Sequence, residues 1–187
     1  MDNSKLIGFE GTREISIETK QEVIKKFQPL EMLKTHGHLK TVNDVVNEKG
    51  IALAGLVNNI GRDTLQAIVE VHIWNLNASM NLQNKLNEIQ VVEIAMELMS
   101  LYYYLGMEDI FLVFRKAKRG EYGKIYGSLS MIDIFEWFNK YDQERMRIKI
   151  NESTKHKHND STTRTSEKNA KAHHIDQLID FKNKNNL

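Results

Sequence analysis

The chain has 187 residues, a formal net charge of +1 and 41% hydrophobic side chains, enough for one core of ordinary size, since such domains run about 100 to 150 residues. A charge so close to zero excludes coating of bulk nucleic acid or an anionic membrane by charge alone. The lack of cysteine excludes disulfides, thiolate zinc sites and cysteine nucleophiles together.

Met1–Glu10 contains no apolar run of signal-peptide length, and no segment approaches the ~18 apolar residues of a membrane span. The expected setting is intracellular and cytoplasmic, with no membrane association. A single proline, Pro29, argues against a fold of strands and turns. The expected fold class is all-α, a compact multi-helix domain with a disordered C-terminal tail.

Residues 1–18 are polar with scattered apolar points and read as an N-terminal arm. The helical domain is expected over 19–150. Thr19 and Glu22 form a capping-box pattern ahead of Val23, Ile24, Phe27 and Leu30, so a helix over 19–34 is predicted, bent or restarted at Pro29. His36, Gly37 and His38 read as a turn. A short helix from Thr41 ends before Gly50, and the apolar piece Ile51–Ile60 suits another turn of helix. Leu65, Ile68, Val69, Ile73, Trp74 and Leu76 predict a long helix over 62–81. Asn87 with Gln90 caps a buried helix over 88–105, stopped by Gly106. Ile110, Val113, Phe114 and Ala117 define a stripe over 108–119 that leaves Arg115, Lys118 and Arg119 opposite. Ser130 caps a last helix, 130–147, with Met131, Ile134, Phe135, Phe138 and Tyr141 on its core face.

Residues 151–187 form a polar tail. From Asn151 to Asn169 there is too little apolar surface to offset an ordering cost of ~1 to 2 kcal/mol per residue, so disorder is expected. Over 172–182 a pattern returns. Ile175, Leu178, Ile179 and Phe181, interleaved with charges, give the format of a short amphipathic helix that docks on a partner.

The run Tyr102–Leu105, then Asp109-Ile110, Arg115–Gly120, Tyr122–Gly127, Trp137-Phe138, Tyr141, Glu144 and Arg145 resembles a family of small proteins from Bacteroidetes genomes, their phages and mobile elements. The resemblance covers Gly50 to Met146 and leaves out the tail. It brings no established activity, substrate or catalytic residue. What it implies is a setting rich in replication, regulation and host-interaction factors, an argument by analogy.

The most suggestive chemistry lies between Arg115 and Tyr126. Arg115, Lys116, Lys118, Arg119 and Lys124 face only one acid, Glu121, with Tyr122 and Tyr126 interleaved and Gly120, Gly123 and Gly127 between them. Cations neutralise phosphates, tyrosine rings stack on unpaired bases, and glycines let the backbone come close to the sugar-phosphate chain. The bland account is also physical, because cations in a last helical turn offset the helix dipole. The pairs His36/His38, His156/His158 and His173/His174 lack the third and fourth fixed ligands of a metal site and read as solvated loop histidines. Neighbouring acids such as Glu108 and Asp109 diverge on a helix and suit its first turn. The expectation is a non-enzymatic accessory protein of a phage or mobile element, without cofactor or metal, that contacts nucleic acid through the basic loop. The competing expectation is an adaptor that binds a host or phage protein through its helical surface or through Ile175, Leu178, Ile179 and Phe181.

Overall fold

Pro29 sets the first structural boundary. Its ring fixes φ and removes a donor, which suits the first position of a helix but not the interior of one. Gln28 before it is extended at φ −66°, ψ 144°, and the helix expected to bend or restart at Pro29 restarts there, as α1 (Ile17–Lys26) and α2 (Pro29–His36). The computed structural model describes residues 17–48, 50–125 and 127–154. Of the arm expected over 1–18, residues 17–18 belong to α1 and the rest lies outside the described residues; of the tail expected over 151–187, residues 151–154 are helical rather than disordered and the rest, including the expected helix at 172–182, lies outside them.

The fold is all-α. After α2 come α3 (Val42–Glu48), α4 (Leu53–Ile60), α5 (Arg62–Ser79), α6 (Glu88–Leu101) and α7 (Met107–Lys118), then α8 over residues 131–154. Among the described residues the only sheet-like pairings are two isolated bridges, Ala52 to Gly106 and Asn84 to Ser128.

Local chemistry sets most helix starts. Asp44 accepts the Lys40 and Thr41 amides at 2.9 Å each and Thr41 Oγ1 accepts the Asp44 amide, closing a capping box at α3. The same reciprocal pattern joins Asn87 and Gln90 at α6 and Ser130 and Asp133 at α8. Gly61, at φ +88°, ends α4 and opens α5 in one residue. The α4 start has no side-chain cap. Its Leu53 and Ala54 amides instead donate to the carbonyls of Leu105 (2.7 Å) and Tyr103 (3.0 Å).

The core gathers around α5 and α7. Leu65, Val69, Ile73 and Leu76 of α5 are fully buried, each contributing about 1.5 to 3 kcal/mol of transfer free energy. Opposite them lie Val91, Ile94 and Leu98 of α6 and Ile110, Leu112 and Val113 of α7. Buried polar groups are held by specific partners. Asn77 clamps both the amide and the carbonyl of Leu86 at 3.0 Å, and His72 donates from Nε2 to Phe27 O at 2.6 Å.

Two helix ends differ from expectation. α6 stops at Leu101, before 105, because Tyr102 to Leu105 close into a turn through Tyr102 N to Leu98 O and Leu105 N to Tyr102 O. α8 continues through 151–154, past the expected end near Arg147. Apolar spacing measures how far a helix is covered, not how far it is hydrogen-bonded. The chain divides into two compact units, Met1–Tyr141 and Asp142–Leu187. Tyr141 is the last buried residue among those described, and the described part of the second unit, 142–154, is helical with no buried side chain.

Candidate functional site

α7 carries the residues that the basic-loop expectation singled out, and the fold uses most of them. Arg115 donates from one guanidinium nitrogen to the carbonyls of Gly37 and Leu39, both at 2.9 Å, and lies over the Phe111 ring at 5.3 Å. It closes the open C-terminal end of α2 from 78 residues away. Burial, with Arg119 adding to it, holds this guanidinium below its ordinary pKa. Lys116 is buried, pairs with Glu121 at 3.7 Å and stands 5.8 Å from the centre of the Tyr122 ring. Arg119 binds the same Glu121 through two nitrogens at 2.7 and 2.6 Å.

The Gly-containing loop is a chain of turns. Gly120, Gly123 and Gly127 have φ of +76°, +114° and +75°, and a Cβ at any of them would meet nothing within 4 Å. Left-handed backbone, rather than close approach by a second chain, accounts for these glycines. Tyr122 stacks on Trp137 at 6.2 Å with planes 15° apart, so one ring face is covered. Tyr126 lies outside the described residues. Of the predicted nucleic-acid set, Lys118 and Lys124 are exposed and make no ion pair among the described residues. Ile175, Leu178, Ile179 and Phe181 are outside the described residues as well.

At the other end of α7, Asp109 accepts the Gly106 amide at 2.7 Å and the Tyr141 hydroxyl at 2.6 Å. Glu108 is buried beside two glycines. A Cβ at Gly50 or Gly106 would come within 2.4 or 2.8 Å of Glu108 Oε2, and that oxygen has no hydrogen-bond partner among the described residues. His36, expected to be a solvated loop residue, is buried in the last turn of α2. Its Nε2 stands 3.8 Å from Glu108 and 3.9 Å from Glu48, while His38 is 3.6 Å from Glu48. The Thr35 hydroxyl spends its hydrogen on Glu31 O and so accepts from His36 Nδ1 at 2.7 Å. Even so, no three His, Asp or Glu side chains among the described residues are placed to hold a metal ion.

A second surface was not foreseen. Leu101, Met131 and Phe135 were expected on core faces. Instead, with Met96, they line an open groove of about 550 Å³ between α6 and α8, bordered by Glu93 and Glu97. Met96 is 45% and Leu101 55% exposed, and Ile89 and Ile132 extend the apolar surface along both helices. The sequence signal was the width of the apolar stripe on α6, which exceeds what one neighbouring helix covers. Among the described residues no helix is long and apolar enough to cross a membrane. No protein-family model, curated protein or solved structure matches the chain.

Proposed function

We propose that the chain is a non-enzymatic helical adaptor that takes a basic amphipathic helix of a host or phage protein into the groove between α6 and α8. The setting of a phage or mobile element comes from the resemblance described above. The observation that carries the reading is the groove itself, an apolar trough of Met96, Leu101, Met131 and Phe135 left open among the described residues, with acids along its α6 side. An amphipathic helix seats its apolar face in such a trough. Methionine adapts its shape to the incoming side chains, and Glu93 and Glu97 favour Lys or Arg along the flank.

The test uses two fluorescein-labelled peptides with Leu at helical spacing, one carrying Lys at the remaining positions and its twin carrying Glu. The Lys peptide is expected to bind saturably, more weakly as salt rises, and to lose binding to Glu93→Lys/Glu97→Lys without a change in melting. Equal affinity of both peptides, or of both proteins, removes the reading.

Contact with nucleic acid is the second reading, and the exposure of Lys118 and Lys124 favours it. It draws less support, because Arg115, Lys116, Arg119 and one face of Tyr122 already serve contacts within the fold. Titration with single-stranded DNA and RNA at low salt tests it, and a flat response ends it.

A further inference from the structure

Helices α2, α5 and α7 enclose a pocket of about 150 Å³ whose two halves differ in chemistry. One wall is apolar, with Leu30 and Leu33 of α2 and Phe114 of α7. The other presents Arg115 and Lys118, adjacent on one face of α7 at a spacing of three residues. Among the described residues no carboxylate lines it. We propose that this pocket binds a small organic anion, a carboxylate carried on an apolar body.

Three observations converge. Leu30 and Leu33 are 63% and 52% exposed, so α2 offers apolar surface to solvent at the place where the cations gather. Lys116 and Arg119, the other cations at the end of α7, are matched by Glu121, whereas Lys118 makes no ion pair among the described residues. The walls also hold the Lys118 ammonium below its ordinary pKa, first by desolvation and then through Arg115. Lys118, beside the charge that Arg115 keeps while its Nη1 donates to Gly37 O and Leu39 O, favours an anion at this place. The helix dipole accounts for cations in the last turn of α7, but it is served equally by Lys116 and calls for no apolar wall.

The chemistry also selects among anions. His72, the remaining titratable side chain of the lining, is held toward its neutral form by burial and donates to Phe27 O, so it adds no charge to the site. Inorganic phosphate is strongly hydrated and leaves the leucines and Phe114 unused. A carboxylate on an aromatic or aliphatic body meets both halves.

Benzoate, benzamide and inorganic phosphate are titrated into the full chain while the methyl signals of Leu30 and Leu33 are followed by NMR. Benzoate is expected to shift both leucines saturably and to bind about tenfold tighter than benzamide, its uncharged isostere. Lys118→Gln is expected to remove that advantage without changing the melting temperature. Glu93→Lys/Glu97→Lys, which tests the distant groove, should leave benzoate binding intact, so the two readings fail separately. The proposal is overturned if no saturable shift occurs, if benzamide or phosphate binds as well as benzoate, or if Lys118→Gln binds benzoate unchanged.

Discussion

Helices α6 and α7 reverse the usual relation between polarity and burial. α7 carries Glu108, Asp109, Arg115, Lys116 and Lys118, yet ten of its residues are buried, Glu108, Asp109 and Lys116 among them. α6 has only glutamates as charges and leaves Ile89, Met96 and Leu101 largely in solvent. The difference lies in neighbours. α7 meets α2, α3 and α5, its Asp109 is engaged by Gly106 and Tyr141 and its Lys116 by Glu121, and Glu108 stands beside His36. α6 is covered on the α5 side and, among the described residues, open on the other. A charged side chain enters a core when the fold provides its partners, and an apolar one stays out when no element arrives to cover it.

The comparison predicts a graded series of costs. Asp109→Ala removes the acceptor of the Gly106 amide and of the Tyr141 hydroxyl, and urea unfolding should show a loss of about 3 to 6 kcal/mol, near 1.5 to 3 for each bond to a charged group. A loss under 1 kcal/mol would mean that the buried acid is not what secures the start of α7. Arg115→Ala removes two carbonyl contacts and the stacking on Phe111, for about 2 kcal/mol. Arg115→Lys should recover only part of it, because an ammonium cannot reproduce the planar fork.

His72 on α5 gives a titratable check. Burial lowers its pKa from the ordinary 6.5, and the bond to Phe27 O opposes that shift. Below 6.5 the unfolded chain takes up a proton that the folded chain resists, so stability is full above 6.5 and falls as pH drops toward the folded value. His72→Gln should flatten the melting profile between about pH 5 and 7. A profile as steep as the wild type would assign the slope to other groups.

The smallest effect belongs to the groove. Leu101→Asp should change stability by no more than about 0.5 kcal/mol, whereas Leu98→Ala, one turn earlier and fully buried, should cost about 2 to 5. Similar losses at both positions would show that α6 is covered on both sides.

Helix existence was legible wherever the signal is local. The Asn87/Gln90 box, the Ser130 cap, the Pro29 boundary and the long stripe of α5 all depend on residues within one or two turns of each other. The candidate surfaces were not legible in the same way. Spacing puts Leu30, Leu101, Met131 and Phe135 on apolar faces, but only the arrangement of helices decides that these faces stay open. The basic segment misled in the opposite direction. Its cations are local in sequence, while the groups that engage Arg115 and Tyr122, namely Gly37, Leu39 and Trp137, lie far along the chain.

The borrowed cap of α4 sets an order of assembly. An eight-residue helix is too short to persist alone in water, and its first two amides find acceptors only on Leu105 and Tyr103. During synthesis the α4 segment leaves the ribosome some 50 residues ahead of those carbonyls, a lag of seconds at a chain growth of about 5 to 20 residues per second. For those seconds α5, long and locally specified, can form while the segment before it waits. The corner between α6 and α7 then completes the start of α4, so the fold closes backward along the chain at this point.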